Sequence, residues 1–149
     1  IVARVSVEDR AVGSVDVANV RLSYTQADSG DPGRAFANVN ATVTPDRAVA
    51  RASMDKDAGT KATRARSATL MDSAARDYER GDLAGNQKKM TEAAGLLSAL
   101  GYVYDDMDLM RESEEVKQRQ VNFAAAPMGS DEALYQVKST KGEARVSSR

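Results

Sequence analysis

Any chemistry in this chain has to come from carboxylates, hydroxyls and ammonium groups, because its 149 residues include no His and no Cys. That composition excludes thiol nucleophiles, disulfides, zinc sites built on imidazole or thiolate, and every Ser-His-Asp or Cys-His arrangement. Asp28, Ser29 and Asp31 stand together in the stretch DSGDPG, and loop oxygens of this kind can take calcium. The alternating acids and closing Glu of an EF-hand are missing, so a plain hairpin loop is the simpler reading. Asp105, Asp106 and Asp108 form a second acidic group. Their place before a helical stretch makes them complements to a helix N-terminus rather than a divalent-ion site. Glu112, Glu114 and Glu115 bring to mind the paired carboxylates of glycosidases. No aromatic sugar platform accompanies them, and neighbouring Glu residues on a helix form a solvated face. Ser and Lys are numerous enough for a Ser-Lys dyad, but no Gly-flanked nucleophile elbow is present. No catalytic, cofactor-binding or metal-ligating residue is assigned, and the chain is read as a non-enzyme.

Charge points the same way. With 21 basic and 22 acidic side chains the net charge is −1, which leaves no broad field for nucleic acid or an anionic membrane. Arg47, Arg51, Lys56, Lys61, Arg64 and Arg66 cluster, but Asp55 and Asp57 interleave with them and no stacking aromatic lies nearby, so a solvated surface is expected. The triplet Asn40-Ala41-Thr42 meets the glycosylation pattern but lies in an expected strand. No window approaches the roughly 18 to 20 apolar residues that cross a bilayer. The chain opens on Ile1, and IVARVSVEDR alternates where a signal peptide would run unbroken, which reads as a piece of a longer protein.

The elements that position these residues follow from periodicity. Apolar residues recur every second position from Val2 to Thr44. Val2, Val5 and Val7 begin the pattern, and Val12, Val15 and Val17 continue it. Val20, Leu22 and Tyr24 then change parity, so a bulge near Ala18-Asn19 would return both halves to one buried face. The loop TQADSGDPGR joins this run to Ala35, Ala37, Val39, Ala41 and Val43, which gives a long antiparallel hairpin from about residue 15 to 44. Thr44-Pro45-Asp46 closes the β section. Helical composition follows, with Gly59 as an expected interruption before a stronger helix from about Thr60. Leu70, Ala74 and Tyr78, with Met71 and Ala75, form one face. Gly81-Asp82 breaks that helix. Leu83, Gln87, Met90, Ala94 and Leu97 stripe the next, so the two helices should pack as an antiparallel hairpin.

Gly101-Tyr102-Val103-Tyr104 reads as a connection, and a third helix is expected from Asp105 to Ala126, with Met107, Met110, Glu114 and Lys117 tracing its turns. Pro127 to Ser130 break it, and the polar end reads as a frayed tail. The fold class is α+β: an antiparallel hairpin or partial β-sandwich (1–45), a two- to three-helix antiparallel hairpin or bundle (46–126), and a C-terminal tail (127–149). With only two Phe, five Tyr and no Trp, the core must rely on Ala-mediated helix contact. Tyr102, Tyr104 and Met107 form the densest bulky apolar cluster outside the helical hairpin, to cap the core or meet a partner. A rival reading is a stand-alone adaptor that takes a peptide or partner helix in a groove around Tyr78, Met90 and Leu97.

The order VDVANVRLSY, polar loop, ANVNATVTPD, then RARSATLMDSAARDYERGDLAGNQKKMTEAAGLLSAL resembles the region that follows the von Willebrand factor type A domain in many bacterial proteins. Tyr78, Gly81, Asp82 and Leu83 match the Tyr/Gly-Asp turn of that region, and the likeness covers roughly residues 15 to 100. The type A domain's own Asp-x-Ser-x-Ser metal motif is absent from this sequence. The resemblance therefore implies an accessory scaffold of a cell-surface or periplasmic protein. Its partner would be another protein or a preceding type A domain, and its sheet would be completed by strands from elsewhere.

Overall fold

The computed structural model describes residues 11–147 and shows an α+β chain. Its elements are β1 (Gly13–Thr25), β2 (Pro32–Val43), α1 (Arg47–Ala52), α2 (Lys56–Glu79), α3 (Leu83–Tyr104), α4 (Met107–Ala125) and α5 (Asp131–Ser147). The strand pattern over Val2, Val5 and Val7 lies outside the described residues. Two compact units result, Ile1–Met54 and Asp55–Arg149. The division falls after Met54 and not at the Pro45 change of period. Asp46 caps only the six-residue α1, and Asp55 starts a new helix by accepting from the Ala58 N–H.

In the first unit β1 and β2 pair antiparallel as a two-stranded ribbon. Asp16 faces Asn40 and Ala18 faces Val39, so Val17 is the extra residue of a bulge, slightly earlier than expected. The bulge keeps Val15, Ala18, Val20, Leu22 and Tyr24 on one face with Gly33, Ala35, Ala37, Val39 and Ala41. The connecting loop is closed by Gln26 N–H to Asp31 O at 2.9 Å and Gly30 N–H to Gln26 O at 2.9 Å, with Gly30 at φ 75°. That left-handed backbone is why Gly stands there.

In the second unit α2 and α3 form the expected antiparallel pair, α4 returns along α3, and α5 packs on α2. Among the described residues, eight of the sixteen buried apolar ones are Ala, Ala74, Ala75, Ala93 and Ala94 among them. Small side chains let helix backbones approach closely while Met71, Met90, Leu97, Leu109 and Phe123 fill the gaps between them.

Several boundaries differ from expectation. Gly59 does not interrupt α2. A Cβ there would fall 2.5 Å from the Tyr104 hydroxyl, so the glycine admits the end of α3. Residues 101–104 are the last turn of α3 and not a connection. The reversal is compressed into Asp105, which adopts φ 50° as C-cap, and Asp106, which caps α4 by accepting from Asp108 N–H and Leu109 N–H. The buried stripe of α3 is Asn86, Met90, Ala93, Ala94, Leu97 and Gly101, so Leu83 and Gln87 lie off it. On α4 the buried face is Leu109, Ser113, Val116 and Phe123, and the trace through Met110, Glu114 and Lys117 runs one position late.

The largest difference is the end of the chain. Residues 131–147 form α5 and not a frayed tail, with Ala133, Gln136, Val137, Thr140 and Ala144 buried. Pro127 and Gly129 (φ 79°) turn the chain, and Ser130 Oγ accepts from Ala133 N–H at 3.1 Å to start the helix.

Candidate interaction surface

The ribbon carries an apolar face on which no described residue is buried. Val20 is 51 %, Leu22 46 % and Val39 43 % exposed, and no described residue before Asp55 is buried. The opposite face is largely polar. It pairs Asn19 with Asn38 and Asp16 with Asn40, and Arg21 lies over the Phe36 ring at 5.4 Å. An isolated two-stranded hairpin is marginal in water, and a ribbon gains stability when its apolar side is covered. Sequence reading found this face through its alternation but took it as already half-buried. Alternation reports which side chains share a face, not what lies against it.

The residues singled out for interaction separate into two groups. Tyr78 (4 % exposed), Met90 (0 %) and Leu97 (3 %) are core, and of the three Leu97 lines a small cleft beside α2 and α4. Tyr78 donates to Ala126 O at 2.7 Å and its ring meets Phe123 at 4.8 Å, which ties α2 to the end of α4. Tyr104 is half-buried against Gly59, and its hydroxyl donates to Asp55 O at 3.4 Å. Tyr102 and Met107 project into solvent, 84 % and 72 % exposed. They stand on either side of the α3–α4 reversal and are not core caps.

The polar groups are used for holding helices together. At the α2–α3 corner the buried Asp77 carboxylate accepts from Lys89 and from Arg80, and Lys89 Nζ also donates to Ser73 Oγ at 2.8 Å. This is the Ser-Lys contact that composition allowed. Its lysine is paired with the Asp77 carboxylate, which ties α3 to α2. The Lys89 hydrogen bond, with Arg80 adding to it, holds the Asp77 carboxyl below the usual range against the opposing effect of burial. Asp82 accepts from Gly85 N–H at 2.8 Å and Asn86 Nδ2 donates to Ala74 O at 3.0 Å, completing the corner.

Glu112 binds Arg64 through two nitrogens, with the shortest contact 2.6 Å, and so joins α4 to α2. Glu114 pairs with Lys117, and Glu115 lies 3.8 Å from Arg111. Glu112 and Glu115 line one small cleft beside α2, and Glu114 is not among the residues that bound it. In the basic cluster Arg66 pairs with Glu92, Lys61 with Asp57 and Lys56 with Asp106. The Asp106 carboxyl is lowered chiefly by its hydrogen bond from Leu109 N–H. In the ribbon loop the Asp28 carboxylate accepts from Ser29 N–H at 2.9 Å, and Ser29 Oγ accepts from Asp31 N–H.

Among the described residues no group of three or more acidic side chains is placed to hold a metal ion, and no helix is long and apolar enough to cross a membrane. A small cleft between α2, α4 and α5 is bounded by Arg64, Glu112, Arg119 and Glu143, whose charges pair across it. No family model, no curated protein and no solved structure matches the chain.

Proposed function

We propose that this chain is a non-enzymatic accessory module whose β ribbon docks against another protein surface while the helical unit serves as a self-sufficient support. One observation carries the reading: the ribbon has an ordered register, a continuous apolar face and no buried residue of its own. Apolar area of that kind contributes about 25 cal/mol per Å² when removed from water, which makes it the natural site of association. The ion pairs support the same view, since Arg64–Glu112, Arg66–Glu92 and Lys89–Asp77 link helices to one another.

The order of elements also fits the likeness to the region after bacterial von Willebrand type A domains: a hairpin, then a helical pair with Gly81 and Asp82 at its corner. On that likeness the module would support protein interaction or adhesion in a cell-envelope protein.

A photoreactive amino acid at Leu22, compared with one at Asn38 on the polar face, tests the docking reading in the cell that makes the protein. Expected are adducts from position 22 to one defined protein surface and few from position 38. Adducts from position 22 confined to the chain's own helices, or equal yields from the two faces, would overturn it.

A further inference from the structure

Resting on the reading of the ribbon face as a docking surface, we infer that its occupant is the same face of a second copy of this chain. The observation is a size alternation across the two strands. Gly13 faces Val43, Val15 faces Ala41, Ala18 faces Val39, Val20 faces Ala37 and Leu22 faces Ala35. Every one of these pairs on the apolar face sets a large side chain beside Gly or Ala. At the sixth step, Tyr24 facing Gly33, the tyrosine ring already covers the glycine, since a Cβ on Gly33 would fall 2.4 Å from Tyr24 Cζ.

A two-fold axis running along the strands lays β1 of one copy over β2 of the other. It therefore seats each large residue on a small one: Leu22 on the other copy's Ala35, Val20 on Ala37, and Val39 on Ala18. The fit is self-complementary, as an isologous interface requires. An axis across the strands would instead stack Leu22 on Leu22 and leave Ala35 over Ala35 unfilled.

The polar opposite face makes this a closed pair and not a growing stack. Asp16, Asn19, Asn38 and Asn40 on that side are polar, and Phe36, 67 % exposed, stands alone among them with the Arg21 guanidinium over its ring. Size sets the strength. A face about 40 Å long and about 12 Å wide, doubled, buries on the order of 1,000 Å², the lower bound for a specific interface. An interface at this bound is of the transient, reversible kind.

Sedimentation of the full chain across the micromolar to submillimolar range is the test. A reversible monomer–dimer equilibrium is expected. Leu22→Lys and Ala37→Lys should each weaken it at least ~100-fold, while Asn38→Lys leaves it unchanged and all three keep the helical circular dichroism of the wild-type chain. Because the chain has no cysteine, Val20→Cys chains can be mixed with Ala37→Cys chains and treated with a short bifunctional thiol cross-linker that spans the roughly 10 Å between stacked sheets. Cross-links between position 20 of one chain and position 37 of the other should exceed those between like positions. A chain monomeric throughout, a dimer indifferent to Leu22→Lys, or a predominance of 20–20 cross-links would overturn the pairing. A monomer whose position 22 still forms adducts with another protein would remove the second copy and leave the docking reading standing.

Discussion

At the scale of single residues, the helical unit behaves as a close-packed alanine core with a few large anchors, and substitutions should report that directly. Met90 is fully buried, so Met90→Ala should cost about 2–5 kcal/mol in chemical denaturation. Tyr78→Phe keeps the ring on Phe123 but leaves Ala126 O without its donor, a loss of about 1 kcal/mol. The glycines of α3 should split by what surrounds them. A Cβ on Gly95 meets nothing within 4 Å, whereas one on Gly101 meets Met110 Cγ at 3.0 Å and Asp106 O at 3.2 Å. Gly95→Ala should therefore stabilise by about 0.5–1 kcal/mol, and Gly101→Ala should lower the melting temperature. These contrasts were only partly legible beforehand. Tyr78, Met90 and Leu97 stand out in the sequence as large residues at helical spacing, but spacing alone does not distinguish a core side chain from one that lines a groove.

At the scale of elements, legibility depended on how much hydropathy each helix face carries. The face of α2 stands out because Met71 and Tyr78 mark it. The buried face of α5, with Ala133, Gln136, Val137, Thr140 and Ala144, contains one large apolar residue and so resembles a tail. On α3 and α4 the buried polar residues Asn86 and Ser113 carry the true phase, and a hydropathy stripe cannot include them. Asn86 and Ser113 are tolerated inside because each donates to a carbonyl of the neighbouring helix, Ala74 O and Ala94 O. Thr140 Oγ1 is buried without a partner. Thr140→Val, nearly isosteric, should be neutral or stabilising by up to about 1 kcal/mol in thermal melts, and a clear loss would mean that α5 does not seat as described.

The α2–α3 corner has its own pH signature. The Asp77 carboxyl is lowered by Lys89 and Arg80, so it contributes stability above the ordinary carboxylate range, and that contribution disappears as pH falls below about 4 through the folded-state value. Asp77→Asn should lower stability at neutral pH and flatten its acid dependence, read from melting temperatures between neutral pH and pH 3.

At the scale of the whole molecule, the two units differ in where their stability comes from. Asp55–Arg149 encloses its own core, so its helices hold one another in place. In Ile1–Met54, backbone pairing fixes a register while the described apolar side chains are half-buried or exposed and none is buried. The α+β order and the hairpin with its bulge were readable because strand alternation and turn chemistry are local signals. The exposure of the described ribbon side chains was not, because burial is a property of neighbours. Amide hydrogen exchange on the dilute chain measures this difference most directly. The hydrogen-bonded ribbon amides, including those near Val20 and Leu22, should exchange by frequent local opening, while amides around Met90 and Leu97 exchange only with global unfolding. Raising the concentration should slow the ribbon and leave the helices unchanged. Ribbon amides as slow as those of α3 in the dilute chain, with no dependence on concentration, would show that the ribbon is stable without any docking partner.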